Sequence, residues 1–233
     1  MNIALFGYGR MGKAIEKIAK SRGHKIVEKI DNNDTILSLL EADVAIDFSI
    51  PNAAAKNITQ ALEHGIPVIS GTTGWLNNYD QIVKLCNKMN GAFLYASNFS
   101  LGVNLFFELN NKLAKIMSQR YTYDASITET HHKLKLDAPS GTAITLAENI
   151  IKNSGYKKWS LNKKNPETLQ ISSARLDDVT GIHSVRYSSK EDSIEIKHTS
   201  KNREGFALGA IVAAEWIIRR KGVFTMKDVL TIS

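Results

Sequence analysis

Asn2 to Gly12 reads NIALFGYGRMG, a short apolar run that ends in three glycines, Gly7, Gly9 and Gly12. A helical pattern follows at once, with Met11, Ile15, Ile18 and Ala19 on one face and Gly23 closing it. Strand, glycine turn and helix in that order are the setting in which G-x-G-x-x-G carries meaning. Gly7 permits the tight turn, Gly9 lets a pyrophosphate approach the backbone, and Gly12 lets helix and sheet pack closely. The helix start then offers N–H groups to phosphates. Asp31 ends the second strand pattern, KIVEKID, about 20 residues further on, where a carboxylate takes the ribose hydroxyls. Together these features predict a dinucleotide site. A carboxylate repels a 2′-phosphate, and the next residues are Asn32, Asn33 and Asp34 with no arginine among them. NADH is therefore modestly favoured over NADPH, although Arg10 and Lys29 could reach the region.

The first half continues in the same alternation. DVAIDFS, IPVIS and AFLYAS read as three more strands, the first apolar enough to be covered on both faces. Between them lie a helix that Asn52 can cap, ending at Gly65, and an amphipathic helix from about Asn78 to Met89. Alternating strands and helices of this length imply an α/β domain of Rossmann type, a parallel sheet wound with helices on both faces. In such sheets ligands collect at the carboxyl ends of strands. Gly71, Thr72 and Thr73 after the fourth strand, and Ala96, Ser97, Asn98 and Phe99 after the fifth, are placed to line the nicotinamide side. Phe99 could cover the cofactor ring or fill the core.

After Asn98 the rhythm changes. A long helix around Val103, Phe106, Phe107, Leu113 and Ile116 leads into YDASITET, LQISSARL, HSVRYSS and DSIEIKHTS, four strand-like stretches with one strong helix among them. This predicts an inserted α+β domain on a mixed or antiparallel sheet. GFALGAIVAAEWIIRRKG then returns to helix, expected to pack back on the first domain. The expected division is residues 1–99 and 204–233 for dinucleotide binding, and 100–203 for substrate binding and oligomerisation.

Composition narrows the function classes. Hydrophobic residues make 43% and charged residues 23% of the chain, as in ordinary globular proteins. No apolar run reaches the ~20 residues needed to span a bilayer, and the first residues lack a basic leader and a cleavage site. Cys86 is the single cysteine, so no internal disulfide forms, which suits the cytoplasm. The net charge of +7 raises the question of nucleic acid. The basic residues are scattered, however, with Lys157-Lys158, Lys163-Lys164 and Arg219-Arg220-Lys221 as the only tight groups outside the motif described next, so no nucleic-acid partner is expected.

That motif is ETHHKLKLDAPSGTA, Glu129 to Ala143. ITET before it is strand-like, and SGTAITLAENIIKNSG after it is a helix with Ala143, Leu146, Ala147 and Ile150 on one face. His131 to Ser140 is therefore expected as a loop between a strand and a helix start. Gly141 and Thr142 present N–H groups that suit a carboxylate or phosphate. His131 can exchange a proton near neutral pH, and Lys135 can hold an anion or give up a proton. A metal is not expected. Adjacent residues on an extended chain point apart, and no cysteine or clustered carboxylate completes a coordination shell.

The glycine turn, Gly71-Thr72-Thr73-Gly74, Ala96-Ser97-Asn98-Phe99-Ser100 and His131-His132-x-x-Lys135-x-Asp137-Ala138-Pro139-Ser140-Gly141-Thr142, in this order, resemble the 4-hydroxy-tetrahydrodipicolinate reductase (dihydrodipicolinate reductase) family. The likeness runs through HTSKNREGFALGAIVAAEW near the end. It implies NAD(P)H-dependent reduction of a cyclic dicarboxylate, with loss of water, in the diaminopimelate route of lysine biosynthesis. It also implies a homotetramer. By the resemblance Gly7, Tyr8, Gly9, Arg10, Met11 and Gly12 belong to the cofactor site. His131 becomes a proton donor or acceptor and Lys135 a second proton donor, while His132, Gly141 and Thr142 bind the dicarboxylate. The first glycine loop is one residue shorter than the family pattern, and Asp31-Asn32 stands where some members place a carboxylate followed by arginine, so the departures bear on cofactor preference.

Overall fold

A computed structural model describes residues 1–31, 39, 41–120, 122–163, 165–202 and 204–231. Asn32 to Asp34, Lys164 and Arg203, named above, lie outside the described residues. The chain folds as two compact units, Met1–Leu101 with Glu204–Ser233, and Gly102–Arg203.

The first unit is built on six parallel strands. β1 (Asn2–Phe6) lies between the edge strand β2 (Lys25–Ile30) and β3 (Val44–Asp47); β4 (Val68–Ser70) and β5 (Ala92–Tyr95) follow outward from β3. Side chains of β1 alternate between the two faces, as the two-residue strand period requires. Ile3 and Leu5 enter a core with helix α1 (Arg10–Ser21), and Ala4 and Phe6 enter another with α2 (Pro51–Glu63) and α3 (Tyr79–Lys88). Burial on both faces explains why β1, β3, β4 and β5 read as continuous apolar runs, unlike the edge strand β2. Helix α2 starts at Pro51 with Ile50 as its N-cap, so Asn52 lies inside the first turn and does not cap it. Proline at the first helical position costs nothing, because its missing N–H would be unpaired there.

Helix α6 (Glu204–Ile217) returns to this unit as expected. Its Ala207, Ala210, Ala213, Ala214 and Ile217 are fully buried in the core shared with α1. A sixth strand follows it, unanticipated from the sequence: Gly222–Phe224, three residues added to the edge beside β5. So short a strand, directly after a long apolar helix, has no period of its own to recognise.

The second unit carries α4 (Leu101–Met117, counted from the end of the first unit) and a mixed five-stranded sheet. β6 (Asp124–His132) is its middle strand, antiparallel to β9 (Gly181–Ser188) and parallel to β8 (Thr168–Leu176). β7 (Lys158–Leu161), also unanticipated, pairs with β8, and β10 (Ser193–Ser200) pairs with β9. One face packs on α4 and on α5 (Gly141–Lys152), whose Ala143, Leu146, Ala147 and Ile150 are buried against Ile127, Ile171 and Val185. Against the expectation of a loop from His131, β6 runs on to His132, because both histidines keep pairing with Arg175 and Leu176 of β8.

Candidate active site

In the first unit the glycine turn joins β1 to α1. Gly7 has φ +87°, and a Cβ there would lie 2.2 Å from the carbonyl oxygen of Phe48. A Cβ on Gly12 would lie 2.3 Å from the carbonyl oxygen of Gly7, so helix and turn touch backbone to backbone. Gly9, the N-cap of α1, meets nothing within 4 Å. Two glycines are consumed by packing, and the third leaves an open backbone cradle above a helix N-terminus. That fits an incoming pyrophosphate. Arg10 is exposed beside the cradle, Met11 half-buried behind it, and Asp31 exposed one residue beyond β2, whose Ile30 carbonyl accepts the N–H of Gly7 at 2.7 Å.

Tyr8 is held by its surroundings. Its hydroxyl donates to Glu16, and Lys29 donates to that hydroxyl at 3.1 Å. Glu16 also pairs with Lys20 at 2.7 Å and Lys29 at 2.8 Å, and the two lysines with Tyr8 bring its carboxyl down to about 2. Lys29 is thus already engaged beside the turn.

Asp47, at the end of β3, is a functional candidate that lies in neither the glycine nor the histidine motif. It is fully buried and accepts hydrogen bonds from Ser49, Ser70, Thr72 and Asn57 at 2.6, 2.8, 2.7 and 3.3 Å. Burial pushes its pKa up while these donors oppose the rise. One carboxylate so fixes Thr72, with Gly71 against the Phe48 ring and Thr73 exposed beyond. Ala96 and Asn98 are half-buried and Ser97 is exposed. Phe99 is a core residue, 1% exposed and packed on Phe48 with ring centroids 5.6 Å apart. Its carbonyl is packed as tightly, since a Cβ on Gly209 would lie 1.7 Å from it.

In the second unit, β6 delivers Glu129, His131 and His132. Strand alternation turns Glu129 and His131 to the helix-covered face, where they are 1% and 7% exposed, and leaves His132 on the opposite face. A carboxylate so buried needs partners on both oxygens. Oε1 accepts from Ser173 Oγ at 2.7 Å and from the Arg175 guanidinium at 3.4 Å. Oε2 accepts the Ser140 N–H at 3.0 Å, with His131 Nδ1 at 3.6 Å and His183 Nε2 at 3.7 Å. His183 stands directly across from Glu129 in the β6–β9 register. Its ring meets that of His131 edge-on, 4.9 Å between centroids, and its Nε2 lies 3.0 Å from Ser140 Oγ. Burial alone would raise the Glu129 pKa, but His183, Ser140 and Ser173 outweigh it and hold the carboxyl well below the usual range. Burial, with His183 next, brings His131 down to about 4. In place of a histidine titrating near neutral pH, the site holds a neutral imidazole at pH 7.

Arg175 carries the order outward. It donates from Nε to the Lys135 carbonyl at 3.2 Å and from Nη2 to the Asp137 carbonyl at 2.6 Å, tying the loop after β6 to the buried carboxylate. Ser140 is the N-cap of α5, its Oγ accepting the Ala143 N–H at 3.2 Å. The first-turn N–H groups of Gly141 and Thr142 have no intrahelical acceptor by the geometry of any helix start. His131, Lys135, Gly141 and Thr142 are thus brought to one end of the unit. Sequence reasoning missed Glu129, Arg175 and His183. Glu129 had a signal, since it shares His131's face two residues earlier on a strand, whereas the other two arrive from strands far along the chain.

The expectation that no carboxylate joins the histidines is corrected, because Glu129, His131 and His183 place ligand atoms within 4.8 Å of one another. Both Glu129 oxygens and His183 Nε2 are nevertheless engaged with protein groups, and a guanidinium lies against the carboxylate. The trio is a buried polar cluster around one carboxylate, in which His131 Nδ1 faces Glu129 without a hydrogen-bond partner.

An open glycine cradle on a parallel sheet, with a separate mixed sheet bearing a buried acid and two imidazoles, defines a two-part oxidoreductase that uses a nicotinamide dinucleotide. The chain belongs to the dihydrodipicolinate reductase family, matching the family models "Dihydrodipicolinate reductase, N-terminus" over residues 1–99 and "Dihydrodipicolinate reductase, C-terminus" over residues 102–230. It is 56% identical to the 4-hydroxy-tetrahydrodipicolinate reductase of Christiangramia forsetii, across 99% of this chain and 98% of that protein. Identity to the protein of the same name from Archaeoglobus fulgidus is 36%, across 99% and 100%. The fold matches a dipicolinate-bound dihydrodipicolinate reductase from Paenisporosarcina sp. TG-14 with a TM-score of 0.82, at 22% identity and over 97% of each chain. Among the described residues no helix is long and apolar enough to cross a membrane.

Proposed function

We propose that the chain reduces 4-hydroxy-tetrahydrodipicolinate to tetrahydrodipicolinate, with loss of water, in the diaminopimelate route to lysine. What carries this reading is the gathering of His131, Lys135 and the α5 start around Glu129 in a chain of the reductase family. When bound in the glycine cradle, the nicotinamide dinucleotide supplies the hydride. The chain's own residues bind the dianion and manage protons. A dicarboxylate arriving beside His131 favours its imidazolium, so the ring takes up a proton as the substrate binds and can return it to the reduced ring. Lys135 exchanges Asp137 for a substrate carboxylate and serves as a second proton donor. The N–H groups of Gly141 and Thr142 and the Thr142 hydroxyl hold the carboxylates, whereas His132 lies on the other face of β6.

NADH serves at least as well as NADPH, read by Asp31, with Gly71 to Thr73 and Ala96 to Phe99 lining the nicotinamide end. The enzyme is a cytoplasmic homotetramer. In support of assembly, the sheet face of the second unit opposite α4 and α5 exposes Thr128, Ala174, Leu176 and Arg186. A coupled assay tests the activity: pyruvate, aspartate semialdehyde and the upstream synthase are supplied, and NADH or NADPH absorbance is followed on adding this chain. Absorbance that does not fall, with turnover of an amino acid in its place, would make the chain an amino-acid dehydrogenase.

A further inference from the structure

We propose that Glu129 is the positioning residue of the dicarboxylate site, one buried carboxylate that keeps the His131 imidazole, the start of α5 and the Lys135 loop in register with one another. The inference rests on the function proposed above and names what holds that site together. Three separate pieces of chain meet on the two oxygens. Oε2 holds α5 through the Ser140 N–H and faces both imidazoles, and Oε1 holds Arg175, whose other donors grip the carbonyls of Lys135 and Asp137.

An ionised carboxylate buried this deeply contributes little net stability compared with an apolar side chain of the same size. Its return is geometric. Both oxygens accept, so donors approach from both sides. An amide in its place offers one oxygen and one NH2, and whichever way it turns, an N–H meets an N–H. Glu129 also sets the charge around His131. The groups facing that ring are Glu129 from β6, His183 from β9, Arg175 from β8, Lys135 from the loop and Ser140 from α5; His198 of β10 stands beside His183 in register. Among them Glu129 is the one anion, so it is what makes an imidazolium tolerable when substrate binds.

The test uses the full chain, with Glu129→Gln and Arg175→Met each compared with wild type. NADH affinity is read by fluorescence titration, kcat and KM for the dicarboxylate by the coupled assay, and kcat as a function of pH. E129Q is expected to keep NADH affinity and to lower kcat/KM about ten- to a hundredfold, the scale of a misplaced catalytic geometry. The pH above which its kcat declines should move down by about one unit or more, the effect of removing an adjacent opposite charge. R175M keeps Glu129 and removes a cation, so the same limb should move up, with KM raised more than kcat. R175M alone decides the question if E129Q does not fold. Wild-type kinetics and an unmoved limb in these variants, or limbs moving the same way in both, would overturn the positioning role. A wild-type chain that binds NADH but leaves the dicarboxylate unreduced would overturn the proposed function and this role with it.

Discussion

Lys135 Nζ donates to both carboxylate oxygens of Asp137, at 2.8 and 2.9 Å, and the pair holds the Asp137 carboxyl below its usual range. The ammonium proposed to bind substrate is therefore occupied by an anion from its own loop, and only 23% of its side chain is exposed. Binding is an exchange of one carboxylate for another. Removing the internal competitor should help. Asp137→Asn is expected to lower KM about two- to fivefold, the range of a partly exposed ion pair. Lys135→Ala should damage kcat and KM together, because an interaction shared by ground and transition states appears in KM. A KM that rises in D137N would mean that Asp137 aims Lys135 and does not compete for it.

The His131 shift sets a pH window for stability. Its folded pKa of about 4 lies below the ordinary 6.5, so the unfolded chain binds the proton more readily. The stabilisation is complete above 6.5 and is lost as pH falls toward 4. At most it amounts to on the order of 3 kcal/mol, about 2.5 units at roughly 1.4 kcal/mol each. His198, also lowered by burial and His183, contributes in the same direction from 6.5 downward. Urea unfolding at pH 7 and pH 4.5 should show a loss that His131→Gln reduces. The same variant should lower kcat about 10²-fold or more, as loss of a general acid does. An unchanged pH dependence in H131Q would show that the imidazole titrates normally.

The glycine turn allows packing and ligand roles to be separated. Gly12→Ala drives a methyl to 2.3 Å from the Gly7 carbonyl oxygen and should lower the melting temperature and dinucleotide affinity together. Gly9→Ala adds a methyl with no protein atom within 4 Å. It should lower the melting temperature less than G12A, by no more than a weakened helix cap, and still lose dinucleotide affinity at least tenfold, about 1.4 kcal/mol. Undiminished NADH binding in G9A would place the pyrophosphate elsewhere.

Asp31 tests cofactor choice. Asp31→Ala should weaken NADH by about 1–2 kcal/mol, the scale of charge-assisted hydrogen bonds, and weaken NADPH less. Isothermal titration with both cofactors reads this directly, and equal losses would show that Asp31 does not meet the ribose.

Much of this protein follows from local pattern. The strands β1 to β5, the helical spacing of α1, α3, α5 and α6, and the glycine turn are legible because each depends on residues within a few positions of one another. So is the pairing of His131 with Lys135 and the α5 start, carried within fifteen residues from Glu129 to Ala143. Tertiary structure decided what those residues are. It extended β6 through both histidines, buried Phe99 and added the strands at Lys158 and Gly222. Above all it brought His183 and Arg175 to Glu129 from strands more than forty residues away. Strand register across a sheet leaves no period in a single sequence, and the neutral state of His131 follows from burial and from charges that only the register brings near.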